Sequence, residues 1–578
     1  MKPIFSLKGL KRMVALITLV AIGPSYAQSV PSDPDVACSI PASTVNGWFK
    51  NGAISLNGVV NPANSVSFPN TPNCSFYEWS HHMFLWLTSP APAIYGGGGG
   101  RIFESSAFFD VSPPDSNGNR TMSAHGRGII QLGPIARQLG PNRLPLIADK
   151  QGKLFEVERV PDGILRPHIH TGAGKLTEVF GAKRGDAGKV ILLDQAGKHI
   201  DPKLLDQLLR RPLAIGPLDV HPAEIGKARK FVLDRIPIFV DRFGNVIEVE
   251  QGQADGSVLI AQNGSPIYYG IAVNEVLAYF RTMQGSSVPA NLLFPTTQGE
   301  LDTITTFASA HNRTFIDPEA LAFEIKTSWI ETTGLAIVGD YITMTAEIPT
   351  YDKSDPLNWK KTGTKHAQVA LVGMHVVGST AGHPEMIWAT FEHIGNTAND
   401  AYSYRNSGGG TTSVPVDTAG NWLFTASNSG GPFNVQRQTT SGDNIVAVSP
   451  SSPVGPNNII RRKAWGAASD VSPNPLKNSP ASNSEIISVN NSVRGVLANG
   501  DVRGNYIMTG STWMIAGVFP FNSFNATQVG TSKLNNTTME TFTQGTSTQA
   551  SGTFNCFTCH GGHLTGVSHV FSDLKPLF

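Results

Sequence analysis

Residues 368 to 393 constrain the fold more than any other stretch. Gln368-Val369-Ala370-Leu371-Val372-Gly373-Met374-His375-Val376-Val377 is apolar at nearly every position, so the strand it predicts needs cover on both faces. Gly382-His383-Pro384-Glu385 supplies a turn, and Met386-Ile387-Trp388-Ala389-Thr390-Phe391-Glu392-His393 returns as a second strand. Upstream, Leu321 to Trp329 alternates apolar and polar and predicts a third. His375, Glu392 and His393 are the polar exceptions here. A buried polar side chain without a partner costs about 1–3 kcal/mol, so a satisfied structural network is the first reading of all three. A ligand to a bound group or an acid/base pair is the functional alternative.

Composition extends the same expectation to the whole chain. Only 15% of the 578 residues are charged, while Gly (59) and Pro (39) are numerous. That favours turns, short strands and long ordered loops. The predicted class is α+β and β-rich: antiparallel sheets and hairpins, scattered helices and a short helical segment near residue 560. A net charge of +1 provides no general basic field for nucleic acid. Two short basic runs, at 227–230 and 461–463, read as solvated faces.

The chemistry-bearing motif is Cys556-Phe557-Thr558-Cys559-His560. Two thiols three positions apart can each add to one vinyl group of a porphyrin, and the adjacent His then offers a nitrogen to the iron. The pattern predicts one covalent haem c on Cys556 and Cys559, with His560 as proximal ligand. A thioredoxin-type redox pair would need a preceding strand and a following helix, and the context does not suggest them.

The N-terminus reads as a targeting segment. Lys2, Lys8, Lys11 and Arg12 precede an apolar stretch from Met13 to Ile22, and Ser25-Tyr26-Ala27 predicts cleavage after Ala27. No later run is apolar enough for a transmembrane helix. Export fits the haem motif and predicts a periplasmic protein of a Gram-negative bacterium. Cys38 and Cys74 then read as a disulfide.

Between these landmarks, Phe76 to Leu87 is the most aromatic stretch and predicts a buried helix, carrying His81, His82 and Met83 as core residues or haem neighbours. From about 146 to 270, apolar runs and Gly-ended turns recur as hairpins. His168 and His170 share a strand face there and read as a surface pair rather than a metal site. Asn274 to Gln284 predicts a helix stopped by Gly285. Residues 397 to 500 predict long loops, and Asn505 to Val518 a strand. Thr537-Thr538-Met539-Glu540 reads as a capping box, with Thr537 as N-cap of a helix to about Gln544. The expected partition is a signal peptide (1–27), a large β-rich domain (28–530) with a possible break near 285–320 or 397–410, and a haem-binding segment (531–578).

Trp79 to Leu87, Val372 to Val377 with Ile387 to His393, and Asn536 to Phe542 ahead of the haem motif together resemble a group of large, exported, single-haem cytochrome c-like proteins of bacteria. The resemblance implies the haem. No Met follows His560, unlike small soluble cytochromes c, so a sixth ligand would come from His563, His569, Met539, His82 or Met83. Three functions follow. One is electron transfer with a periplasmic redox partner protein. Another is a haem-dependent, peroxidase-like oxidoreductase acting on a small molecule, with His375, Glu392 or His393 as acid or base. The third is a haem-based sensor or binding protein.

Overall fold

The computed structural model describes residues 30–578 apart from 70–72, 97–99, 114–118, 126–129, 134–143, 145, 149–153, 159, 161–163, 173, 185–189, 205–225, 234–235, 248–257, 442, 466–479, 518–527, 531–535, 543–555 and 561–563. The expected leader and His563 therefore lie outside the described residues.

A curled antiparallel sheet dominates the fold. In chain order its main strands are β1 (Phe108–Val111), β2 (Ile267–Asn274), β3 (Phe323–Glu331), β4 (Thr343–Asp352), β5 (Asn358–Thr380), β6 (His383–His393) and β7 (Tyr506–Met514). In space the order is β1-β2-β3-β5-β6-β7, every pairing antiparallel, with β4 on the first half of β5. The apolar run at 368–377 thus occupies a central strand, as its two-sided burial requires.

The helices are α1 (Ala42–Trp48), α2 (Asn73–Leu87), α3 (Glu275–Met283), α4 (Gln298–Ala310), α5 (Pro480–Arg494) and α6 (Cys556–His560). Among the described residues, no helix is long and apolar enough to cross a membrane. Asn274 caps α3 by accepting the Leu277 amide proton at 3.1 Å.

The sheet has two different faces. Phe323 and Ile325 of β3, Met374 and Val376 of β5, and Ala389 and Phe391 of β6 pack into one large cluster with α2. Phe84 stacks on Phe391 at 4.2 Å, and Trp79 and Trp86 meet Phe323 at 6.0 and 5.9 Å. Strand pleating sends the alternate residues to the other side. There Val377 of β5 and Trp388 of β6 join Phe557, Val567 and Phe571 in a second cluster with α3 and α4.

Two expectations are corrected. Residues 397–500 are not loops throughout, because α5 is fifteen residues long and mostly buried. Its buried side chains mix Ile486, Ile487, Val489 and Val493 with the amides and hydroxyls of Ser482, Asn483, Ser484, Ser488 and Asn490. Asn490 donates to the Met508 carbonyl of β7 and accepts from its amide, at 2.8 Å each. Ser484 accepts from the Arg405 amide and donates to its carbonyl. Such a helix carries little 3.6-residue apolar signal. The basic run at 461–463 is likewise no solvated face throughout, for Arg461 is 2% exposed and paired with Glu392.

Cys38 and Cys74 are joined as expected, with Cα atoms 5.2 Å apart. Within residues 146–247, short hairpins enclose their own apolar cluster of Ile169, Leu192, Phe231, Ile238 and Val240. Gly197 and Gly244 close two of the turns at φ +76° and +86°, the left-handed region a side chain resists.

Candidate functional site

The site forms where α6 and the residues after it dock on the second face of the sheet. Register places Lys326 of β3 opposite His375 of β5, and His375 opposite Thr390 of β6. The next row contains Glu324, Val377 and Trp388. α6 settles against this second row. Trp388 lies 4.2 Å from the His560 ring and 6.0 Å from Phe557. Ser568 donates to the Glu324 carboxylate at 2.6 Å. Arg281 of α3 donates to the Phe571 carbonyl at 3.2 Å.

The His560 ring is held tightly. Its Nδ1 is 2.7 Å from the Val567 carbonyl oxygen, which can only accept, so Nδ1 carries the proton. Nε2 is then the nitrogen with a lone pair. Burial, then the charge of His569, push the imidazole well below its ordinary pKa, against the pull of the Val567 carbonyl; Lys326 and His375 add to the depression. The ring is therefore neutral, the form that binds a metal.

His569 stacks face to face on His560, with centroids 4.0 Å apart and planes at 16°. A residue that shared a metal ion with His560 would face its Nε2 rather than stack on its ring. Here the two rings lie side by side.

Above the first row sits the turn at 536–542. Asn536, not Thr537, is its cap. The Asn536 amide donates to Glu540 at 2.8 Å, and the Asn536 side-chain oxygen accepts from the Thr538 amide at 2.9 Å. The segment makes a turn rather than the expected helix, and 543–544 lie outside the described residues. The sheet has taken over the capping groups. The Thr537 amide donates to Glu392 at 2.7 Å and its hydroxyl donates to the same carboxylate. Asn536 donates to Thr390 at 2.8 Å, and Tyr269 donates to the Thr538 carbonyl at 2.6 Å.

Glu540 faces His375, whose Nε2 is 3.0 Å from the carboxylate and whose Nδ1 is 2.9 Å from the Thr390 hydroxyl. Burial pushes the Glu540 carboxyl up. His375, Lys326 and the Asn536 amide outweigh that and hold it below its ordinary value. The pair is an ionised carboxylate against an imidazole, with about a quarter of each side chain exposed.

The remaining candidates are engaged in packing or hydrogen-bond networks of their own. Glu392 is buried and engaged by Arg461 at 2.8 Å and by Thr537. His393 stacks on Tyr341 at 3.9 Å, donates to the Asp340 carbonyl at 3.3 Å and accepts from the Gly395 amide at 3.1 Å. Both belong to structural networks. His82 stacks on Trp48 at 4.6 Å and donates to the Asn61 carbonyl. Met83 is in the α2 core, where its sulfur accepts from the Ala63 amide. The sheet stands between these two residues and His560. Met539 is buried in the turn at 536–542. His168 and His170 lie on one short strand, the first exposed and the second half-buried, in keeping with a surface pair.

Sequence reading missed Lys326 and Glu324. The signal was present, since the polar positions of the alternating strand at 321–329 had to share a face with His375. Among the described residues, no cluster of three or more His, Cys, Asp or Glu is gathered to hold a bare metal ion. A haem needs less from the protein: the thiols, one oriented imidazole and an apolar seat. Cys556 and Cys559 lie on one helical turn with His560, and Trp388, Phe557, Val567 and Phe571 supply the apolar wall. Compared with known proteins, the chain matches no family model, no curated protein and no solved structure.

Proposed function

We propose that the protein is a periplasmic c-type cytochrome with one covalent haem, which Cys556 and Cys559 would hold and whose iron His560 would bind, and that it transfers electrons to or from a redox partner protein. The observation that carries this reading is the Val567 carbonyl fixing the Nδ1 proton of His560, which leaves Nε2 as the coordinating nitrogen. Haem, when bound, supplies one-electron iron chemistry. The chain's own residues orient and shield. Trp388 and His569 limit rotation of the His560 ring, and Phe557 and Phe571 exclude water. The Cys38–Cys74 disulfide supports export to an oxidising compartment.

One feature favours a second reading, a haem-dependent oxidoreductase. His375 and Glu540 are partly exposed, and the charge of His375 reaches His560. His375 can hold or release a proton at Nε2 with Glu540 orienting it, as an acid/base group must. Glu392 and His393 drop out of that role, their polar atoms being engaged in the networks described above.

The test is expression with a haem-attachment system. Wild type is expected to keep haem through denaturing electrophoresis, and Cys556→Ala/Cys559→Ala to lose it. A double variant that retains covalent haem overturns the proposal. Carbon monoxide then separates the two readings. A low-spin spectrum indifferent to it supports electron transfer, whereas a high-spin, responsive spectrum supports the oxidoreductase or a gas sensor.

A further inference from the structure

Residues 146–247 expose apolar side chains in an unusual setting. Leu165 is 86% exposed, Phe243 61% and Leu176 51%. Each is adjacent in sequence to an exposed basic residue: Arg166, Arg242 and Lys175 respectively. Two of these couples meet at one tip. Phe243 lies in the turn Asp241–Gly244, and the Gly244 carbonyl accepts from the His170 amide at 2.7 Å. His170 pairs with Leu176 across the neighbouring hairpin. A Cβ on Gly244 would come within 3.1 Å of the Leu176 side chain, so the two turns are packed together. The Arg242 guanidinium lies over the Phe243 ring at 4.7 Å.

The charge of this region differs from that of the rest. It holds 17 Lys and Arg against 13 Asp and Glu, a net of +4 (17 − 13), whereas the whole chain is +1, which leaves −3 (1 − 4) elsewhere. The nearest described acid is Asp241 in the turn itself, buried and accepting from the Phe243 amide at 2.9 Å; Asp201 lies beside Gly172 and Glu178 is 3.9 Å from Arg166.

We propose that these turns bind a membrane surface bearing anionic phospholipid. Aromatic and aliphatic side chains at a tip, each flanked by a cation, suit the boundary between headgroups and acyl chains. A protein partner is the poorer fit, because stable docking covers about 800 Å² per side and a few tip side chains offer much less. The proposal does not depend on the haem reading.

The test is co-sedimentation of the full mature protein with vesicles of phosphatidylcholine, with or without phosphatidylglycerol. Binding is expected only with phosphatidylglycerol, weakening as salt rises. Arg242→Gln is expected to reduce it about fivefold, and Phe243→Ser/Leu176→Ser about tenfold. A Phe243→Trp variant gives an independent readout, a blue-shifted emission on adding anionic vesicles. Failure of wild type to bind, binding that the variants leave unchanged, or an emission from the Phe243→Trp variant that stays put overturns the proposal. Capture of an acidic protein without vesicle binding would overturn it in favour of a protein partner.

Discussion

At the residue scale, burial sets the charge state of the histidines outside the site. His393 is pushed down to about 3 by burial, with Arg494 adding to it and the Asp340 carbonyl opposing; burial takes His81 and His82 to about 3 as well. The unfolded pKa is about 6.5, so the unfolded chain takes up these protons first. The stability they confer is complete above pH 6.5 and is lost as pH falls toward 3. Glu104 and Asp110, raised by burial to about 7, and Asp317, raised to about 6, act oppositely. Their contribution is complete below about pH 4 and is lost as pH rises through 6–7. The two sets therefore oppose each other between pH 4 and 7, and a single variant isolates one contribution. His393→Phe is expected to lose less stability than wild type between pH 7 and 4, by on the order of 2–3 kcal/mol. Urea midpoints at pH 7, 5.5 and 4 measure it, and parallel decline of the two proteins would refute it. The polar exceptions in the central strands stood out in the sequence. Which of them served the site did not, because only the register separates His375 on one face from His393 on the other.

At the element scale, the turn at 536–542 rests on a glycine. A Cβ at Gly373 would stand 2.4 Å from the Thr538 hydroxyl, 2.6 Å from the Ser328 hydroxyl and 2.9 Å from the Asn536 side-chain oxygen. Gly373→Ala is expected to cost about 1–3 kcal/mol and to lift the turn from the strand. Hydrogen exchange at the Thr537 and Glu540 amides should speed up relative to β6, and unchanged protection would count against this packing. The central strands and α3 were legible because their periodicity or capping is local. α5 was not, because its buried Ser and Asn side chains are matched by backbone groups of Arg405 and Met508, far away in sequence. The capping motif at 537–540 misled for a related reason: Glu392 offered Thr537 a stronger acceptor than its own turn.

At the scale of the whole molecule, the C-x-x-C-H pattern and the Cys38–Cys74 pair were readable in the sequence, whereas the surfaces they dock on were not. The surface under α6 is assembled from β3, β5 and β6, which only the fold brings together. That sheet presents aromatic packing to α2 on one side and a polar row to the 536–542 turn on the other. It stands between two packed compartments, which predicts that they are mutationally separate. Phe84→Ala, expected to cost about 3–5 kcal/mol, and His375→Ala should combine in the double variant to the sum of their single effects within about 0.5 kcal/mol. A coupling above about 1 kcal/mol, read from urea unfolding of the two singles and the double, would show that the wall transmits strain. With additivity, the α2 side can be stabilised or redesigned without altering the chemistry beside His560.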